Sequence, residues 1–147
     1  IEERQMNIIK AKYDGKTVSW NTKSGKRVEK THNSISNVLT NSKEVYVLCR
    51  ENDRNDVVIV YSKDGELLGE LHNTDMMYIN YMQNHPRYGV VIIISEKINE
   101  KWVDGQYQFS DGAYYYEASP SECQYLGSVF CCLMYCYMRI ERECLAE

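Results

Sequence analysis

The sequence predicts a mainly β fold of antiparallel β-meander repeats, about three units of roughly 40 residues in a sheet or partly open barrel, followed by one long C-terminal α-helix. Three observations predict this architecture. The 147 residues include 13 Tyr against 2 Phe and 2 Trp, and tyrosine is enriched in strands. Short apolar runs alternate with Asp-Gly and Ser-Gly pairs, which are typical of hairpin turns. Residues 17–25 align without gaps with residues 57–65, at an offset of 40 positions.

The repeats define the expected strands. A run of β-forming residues that ends at a glycine-containing turn is expected to reverse and pair with its neighbour. Val90–Ile94 is apolar at every position and is therefore expected to lie in a central strand. The predicted strands are Asn7–Lys12, Lys16–Asn21, Lys26–Lys30 and a fourth strand Ile35–Thr40 in the first copy, Glu44–Arg50, Val57–Ser62, Glu66–Leu71 and Met76–Met82 in the second, and Val90–Ser95, Trp102–Phe109 and Ala113–Ala118 in the third. Met76–Met82 fits a short helix equally well.

Residues 119–147 break this pattern and predict a helix. Ser119, Pro120 and Glu122 provide an N-cap, a first-turn proline and a third-position carboxylate, which together suit a helix start. From Cys123 to Cys144 apolar residues recur every three or four positions, the spacing of one helical face. The middle of this helix is also apolar on its other sides. It is therefore expected to pack against the sheet and against a second copy in a homodimer, with packing inside one chain as the alternative.

The chain is expected to be a single domain over residues 1–147, with a β-repeat region at 1–118 and the helix at 119–147. A chain of this length can bury a sizeable core without disulfides or a metal. The alternatives for the β region are a β-trefoil and propeller-like blades. Residues 45–68 resemble a β-propeller blade, in which a strand, a polar loop, a second strand and an Asp-Gly turn recur. This resemblance implies blade-like meanders.

Cysteine usage and the start of the chain predict a reduced, cytoplasmic protein. The opening residues, Ile1–Gln5, lack the apolar region of a signal peptide. Five of the six Cys lie between positions 123 and 144, where neighbours on one helix cannot easily reach disulfide geometry, and no His lies near them to complete a zinc site. The longest uncharged run, Cys123–Met138, is shorter than the roughly 20 apolar residues of a membrane span. No metal, cofactor or membrane partner is expected.

Catalytic motifs are missing, and the protein is expected not to be an enzyme. Neither a nucleophile elbow, a Walker loop, a His-Glu-x-x-His helix nor a Cys-x-x-Cys pair occurs. His32 and His72 occupy matching positions of two repeats, which favours a structural role at strand ends over two catalytic bases. The remaining candidates, His85, Asp53 and Asp56, are expected to be solvated loop residues.

The charge distribution indicates a basic protein partner and argues against nucleic acid. Residues 1–40 carry 8 Lys and Arg against 4 Asp and Glu, residues 41–147 carry 9 against 17, and the net charge is −4. A nucleic-acid binder needs a concentrated basic surface. An acidic surface instead accelerates encounter with a basic protein, although solvated strand edges and loops would give the same gradient.

Aromatic and acidic residues around the third repeat are the best functional candidates. Alternation along a strand sends Tyr114 and Tyr116 to one face and Tyr115 to the other, so one face is expected to expose a tyrosine stripe. Tyr and Trp are common at interface hot spots, and cross-strand packing inside the fold is the alternative. The expected partner-binding residues are Trp102, Asp104, Tyr107, Tyr114, Tyr116, Glu96 and Glu100.

These residues favour a non-enzymatic module that binds a protein by occlusion and charge complementarity. A small acidic inhibitor, such as a bacterial immunity protein that blocks a basic toxin, is one concrete form of this hypothesis. The alternative is a small-ligand or carbohydrate-binding β domain, in which Trp20, Trp102 and tyrosine rings serve as stacking platforms.

Overall fold

The mainly β prediction is confirmed by a computed structural model, which describes residues 7–52, 55–85, 89–110 and 112–118, the last four of these by backbone alone. Within those ranges the strands form three antiparallel sheets. The strands are β1 (Lys12–Tyr13), β2 (Thr17–Asn21), β3 (Arg27–Thr31), β4 (Ile35–Thr40), β5 (Glu44–Asn52), β6 (Asn55–Ser62), β7 (Leu67–His72), β8 (Met77–His85), β9 (Gly89–Ile98), β10 (Lys101–Ser110) and β11 (Ala113–Ala118).

Each sheet is a meander in which strands that are consecutive in sequence are paired. The first sheet is β1–β2–β3, the second is β4–β5–β6–β7, and the third has the order β11–β10–β9–β8. In the described part of the chain the edge strands of a sheet do not pair with each other, so there is no closed barrel of the kind that a β-trefoil requires. Propeller-like blades stay a prediction.

The repeat is visible in the hydrogen bonds of two turns. In the first turn, Thr22 N–H donates to Lys26 O at 2.8 Å and Gly25 N–H donates to Thr22 O at 2.9 Å. The Thr22 hydroxyl accepts the Lys26 N–H at 3.1 Å. The turn at residues 62–66 has the same three bonds at 2.8, 3.0 and 3.1 Å. Gly25 and Gly65 have φ of 88° and 94°, which is the left-handed conformation that glycine adopts without steric cost.

The strand that is predicted to end each of the first two repeats instead begins the next sheet. Ile35–Thr40 is predicted to close the first copy, but β4 pairs with β5 and opens the second sheet. A tight turn favours this pairing, because Asn41 Oδ1 accepts the backbone N–H groups of Lys43 and Glu44 at 2.8 and 2.7 Å. In the same way β8 opens the third sheet, and its pairing with β9 shows that Met76–Met82 contributes a strand and not a helix.

The first strand is much shorter than predicted. β1 comprises only Lys12 and Tyr13, whereas the sequence predicts a strand over Asn7–Lys12. Ile9 is hydrogen-bonded elsewhere, since its N–H donates to Asn41 O at 3.1 Å and its carbonyl accepts the Thr40 hydroxyl at 2.6 Å. The segment before β1 is therefore tied to the end of β4 instead of to β2.

The first and second sheets enclose an apolar core. Trp20 is central to it: the side chain is 3% exposed, and its indole N–H donates to Lys63 O at 2.7 Å. A buried, hydrogen-bonded indole cannot stack on a ligand, so the expectation that Trp20 is a carbohydrate platform is wrong. The buried members of this core are Val18, Trp20, Val28, Ile35, Val45, Val47, Cys49, Val57, Ile59 and Tyr61.

Polar contacts also join these two sheets. The Tyr61 hydroxyl and His32 Nε2 are 2.8 Å apart, and Lys30 Nζ lies 5.0 Å from the centroid of the Tyr61 ring. Burial raises the pKa of Tyr61 to about 12. Burial, with the Lys30 ammonium acting in the same direction, lowers the pKa of His32 below its ordinary value. The Val28 side chain approaches the backbone of Gly65 so closely that a Cβ on Gly65 would lie 2.8 Å from Val28 Cγ1.

A bulge in β7 gives the two equivalent histidines different surroundings. The pairing of β6 with β7 shifts by one residue, so that Leu68 is an extra residue in β7. Because side chains alternate along a strand, one extra residue moves every later side chain to the opposite face. His32 follows a regular strand and contacts Tyr61, whereas His72 is half-exposed and its Nε2 lies 3.1 Å from Glu70 Oε2. The symmetry of the sequence therefore does not extend to these side chains.

The chain divides into two compact units, Ile1–Asn73 with the first two sheets and Thr74–Glu147 with the third. The single domain over residues 1–147 stays a prediction. β9 is a central strand of the third sheet, as predicted, and Val90, Ile92 and Ile94 along it are buried. The predicted helix at 119–147, its proposed dimer contact, and Asp53 lie outside the described residues. None of the described elements is a helix with the length and apolarity to cross a membrane.

Candidate interaction surface

One face of the third sheet exposes large aromatic side chains. Tyr78 is 47%, Tyr81 50% and Trp102 46% exposed. The adjoining Met76 is also exposed. Single exposed aromatics are common on protein surfaces, but a group of them on one sheet face is typical of an interaction site. We name this surface the outer face, and define it by Tyr78, Asn80, Tyr81, Ser95, Trp102 and Asp104.

A bulge in β8 adds Asn80 to the outer face. The pairing with β9 shifts between Ile79 and Tyr81, so Asn80 is an extra residue. Met77, Ile79 and Met82 remain buried on one side, while Asn80 and Tyr81 are consecutive exposed residues. A bulge increases local twist and redirects side chains. Here it turns two adjacent side chains outward without removing an apolar residue from the buried face.

The geometry combines an aromatic pair with a line of hydrogen bonds. The rings of Tyr78 and Trp102 are 5.0 Å apart between centroids and inclined at 33°. Alongside them, Asn80 Nδ2 donates to Ser95 Oγ at 2.9 Å, and Ser95 Oγ donates to Asp104 Oδ1 at 3.3 Å. The line follows the sheet register, in which Ser95 is paired with both Tyr78 and Asp104. Aromatic surface and an exposed carboxylate thus lie side by side.

The hairpin between β9 and β10 supports Trp102. Asn99 and Glu100 form its two-residue loop, with φ of 50° and 63°. Two consecutive positive φ values are the signature of a type I′ turn, which matches the twist of the flanking strands. Glu100 is a residue type that rarely adopts this conformation. The turn holds the exposed Glu100 carboxylate at the tip of the hairpin that bears Trp102.

The structure distributes the predicted partner-binding residues over two faces. Trp102 and Asp104 share the outer face, and Glu100 is at the adjoining tip. Tyr107 is 4% exposed and packs edge-on against Tyr114, whose ring also lies 4.8 Å from that of Phe109. Tyr107 is therefore not exposed, contrary to expectation, and an exposed stripe of Tyr114 and Tyr116 stays a prediction.

Strand register explains this distribution. Tyr116 is paired with Tyr107 through the backbone, and Glu96 is paired with Val103 and Met77. These positions alternate with Trp102 and Asp104, so in the register they belong to the other side of the sheet. The sequence shows that residues two apart share a face, but not which face is covered. The roles of Tyr116 and Glu96 in partner binding stay predictions.

Four members of the outer face escape the sequence prediction. Tyr78, Asn80 and Tyr81 lie in the segment that fits either a strand or a helix, and Ser95 ends a run of apolar residues. The signal that identifies the tyrosines is the spacing of Met77, Ile79 and Met82. A step of two followed by a step of three is a strand alternation interrupted by one extra residue.

Reactive chemistry elsewhere in the described ranges is limited. Burial, with nearby carboxylates adding to it, raises the pKa of the Cys49 thiol to about 11, so this thiol is protonated and inert. Asp56 Oδ1 accepts the Arg50 Nε–H at 3.1 Å in an exposed ion pair. Those ranges contain no cluster of three or more His, Cys, Asp or Glu side chains that could hold a metal.

The chain matches no known family model, no curated protein sequence and no solved structure. Its function must therefore be argued from its own geometry, above all from the outer face. This surface presents aromatic area, hydrogen-bonding groups and a carboxylate on paired strands. Such an arrangement is suited to binding.

Proposed function

We propose that the protein is a non-enzymatic protein-binding module that recognises its partner through the outer face. The observation that carries the proposal is the exposed pair of Tyr78 and Trp102, whose centroids are 5.0 Å apart. Rigid aromatic side chains contribute much contact area at little entropic cost, which is why they are common at interface hot spots. Their positions on paired strands reduce that cost further, because the backbone beneath them is already ordered.

The charge of the chain supports a basic partner. The net charge is −4, and Asp104 and Glu100 lie on and beside the outer face, where Lys97 is an opposing charge. In its most specific form the proposal is a small acidic inhibitor of the immunity-protein kind, which occludes the active surface of a basic protein without turnover. Complementary charge would raise the rate of association, and the aromatic contacts would slow dissociation.

A carbohydrate-binding domain is the second candidate. It is favoured by the line of Asn80, Ser95 and Asp104 beside exposed rings, because sugar recognition combines stacking with polar groups that bind hydroxyls. The tilt of 33° between the Tyr78 and Trp102 rings argues against it, since the two rings do not form a flat platform for one pyranose. We therefore prefer the protein-binding function.

Affinity capture with matched variants tests the proposal. The immobilised wild-type chain, Trp102→Ala and Tyr13→Ala are incubated with a lysate of the source organism, and bound proteins are quantified. Tyr13 is the matched control, because it is a similarly exposed aromatic, 48%, in the first sheet. We expect one basic protein to be lost with Trp102→Ala and retained with Tyr13→Ala. Purified partner should then show a Kd that weakens at least tenfold, about 1.4 kcal/mol, for Trp102→Ala.

Two results would contradict this function. Equal capture by wild type and Trp102→Ala would exclude the outer face as the recognition surface. Binding of the wild-type chain to a glycan array, abolished by Trp102→Ala, without a protein that depends on Trp102, would favour the carbohydrate alternative. Circular dichroism of each variant confirms that the strands are intact.

A further inference from the structure

We propose that the group recognised by the outer face is the guanidinium of an arginine side chain on the partner protein. This inference rests on the proposed function and specifies its ligand chemistry. Trp102 and Asp104 are two residues apart on β10 and point to the same side. Residues at this spacing are separated by about 6.8 Å along a strand. A planar guanidinium stacked on the indole therefore has its N–H edge near the carboxylate.

The aromatic pair supplies the first half of the site. A cation within about 6 Å of an aromatic centroid is attracted by the negative face of the ring, and Trp is the strongest of the three aromatics. Tyr78 lies against Trp102 and fixes the orientation of the indole. The same chemistry occurs inside the chain, where the Lys30 ammonium is 5.0 Å from the Tyr61 centroid.

Asp104 supplies the second half. The Ser95 hydroxyl donates to its Oδ1, and Asn80 in turn donates to Ser95. This line orients the carboxylate, and because Asp104 is exposed, its Oδ2 can accept from a donor outside the chain. Arginine satisfies both halves at once, since its guanidinium stacks and donates in a fixed plane, whereas a lysine ammonium is a point charge that prefers hydration.

Lys97 is the charged group that opposes this ligand. It is paired with Trp102 across β9 and β10 and belongs to the same face. Its ammonium repels a guanidinium, so it is expected to weaken binding of any cationic side chain. Lys101 carries the same charge but is paired with Ile98 and alternates to the other face. These two lysines therefore form a matched pair for testing charge on the outer face.

Nuclear magnetic resonance of the full chain tests the proposal with defined probes. The ¹⁵N-labelled protein is titrated with acetyl-Gly-Arg-Gly-amide, with the neutral citrulline analogue, with the lysine analogue and with maltotriose. The chain has 2 Trp, and the buried Trp20 indole, which donates to Lys63 O, is an internal reference. We expect the arginine peptide to shift the Trp102 indole resonance at millimolar concentrations, to shift it more than the lysine peptide does, and to leave Trp20 unchanged.

Three substitutions are expected to change the affinity for the arginine peptide differently. Asp104→Asn should weaken binding of the arginine peptide about two- to fivefold, Lys97→Gln should strengthen it by a similar factor, and Lys101→Gln should leave it unchanged. Equal shifts with arginine and citrulline, or a Trp102 shift with maltotriose alone, would overturn the arginine ligand. If no peptide shifts Trp102 while Trp102→Ala still loses the captured protein, the ligand chemistry is wrong and the protein-binding function stands. If capture is insensitive to Trp102, the function itself fails.

Discussion

At the scale of single residues, Gly65 shows how closely the first two sheets pack. Its φ is 94°, and an added Cβ would lie 2.8 Å from Val28 Cγ1. Gly65→Ala is therefore expected to combine a left-handed backbone cost of about 1–2 kcal/mol with about 1–3 kcal/mol of overpacking. Valine cannot relieve the contact by a small movement, because its branched side chain is confined to few rotamers. Urea denaturation measures the loss in the free energy of unfolding.

Gly25 provides the control for this prediction. It occupies the equivalent turn of the first repeat with φ 88°, but no atom lies within 4 Å of the position that an added Cβ would take. Gly25→Ala should therefore cost only the backbone contribution, about 1–2 kcal/mol. If the two alanine variants lose equal stability, the close approach at Val28 does not contribute, and the packing of the two sheets is looser than described.

His32 makes stability depend on pH. Burial lowers the pKa of its imidazole below the ordinary value of 6.5, so the folded chain takes up this proton less readily than the unfolded chain. The stabilising contribution is complete above pH 6.5 and is lost as the pH falls through the range between the two pKa values. We expect the difference in unfolding free energy between wild type and His32→Gln to shift against wild type from about pH 7 to about pH 5.

His72→Gln is the control for the pH experiment. His72 matches His32 in the sequence repeat, but it is half-exposed beside Glu70 and Glu51. The variant keeps the contact of His32 with Tyr61 and should therefore retain the pH dependence that His32→Gln removes. A constant difference between wild type and His32→Gln across this range would show that burial of His32 does not govern its protonation.

At the scale of elements, the bulge in β8 can be removed without changing which side chains are buried. Deleting Asn80 would leave Met77, Ile79 and Met82 on one face in strict alternation with Tyr78 and Tyr81, as the register requires. The deletion removes one exposed hydrogen bond to Ser95, so we expect the free energy of unfolding to change by less than about 1.5 kcal/mol. Chemical denaturation of the full chain measures this change.

Deletion of Tyr78 is the matched comparison. It also shortens β8 by one residue, but it would place Met77 on the exposed side and move the bridge between Thr74 and Met77. Exposing a buried methionine costs about 1.5–3 kcal/mol from the loss of hydrophobic burial alone. Equal destabilisation by the two deletions would mean that β8 does not hold the register on which the outer face depends.

The bulges in β7 and β8 show that a single sequence predicts where a strand lies better than which way its side chains point. Ile35–Thr40 and Ala113–Ala118 have the predicted bounds, because β-branched and aromatic residues are enclosed there by turn signals. Leu68 and Asn80, like Ser36 in β4, are single extra residues within otherwise regular strands. Each changes the face of its neighbours without changing local composition. A strand can therefore be located from propensity while the direction of its side chains depends on its partner.

At the scale of the whole molecule, the sequence identifies two of the six residues that define the outer face, Trp102 and Asp104. Both are expected to bind the partner, and their spacing of two residues in one strand places them on the same face; their role in binding stays a prediction. Tyr78 and Ser95 join them only through the register in which β8, β9 and β10 pair. The burial of Tyr107 escapes the prediction for a similar reason, since it is decided by which face of the sheet is covered.

The expected tail helix makes a final prediction about self-association. From Cys123 to Cys144 the sequence predicts one apolar stripe, and Cys131 and Cys132 extend apolar surface away from it. A helix that is apolar beyond the stripe needs a second covering surface, which a homodimer would provide. We expect sedimentation equilibrium of the full chain under reducing conditions to give a dimer, and Cys132→Lys to shift it towards monomer because the ammonium would be desolvated at the interface. Glu143→Lys is the control, because it changes a charge nearer the polar end of the segment and should leave the dimer intact. A monomeric wild-type chain would contradict the predicted dimer.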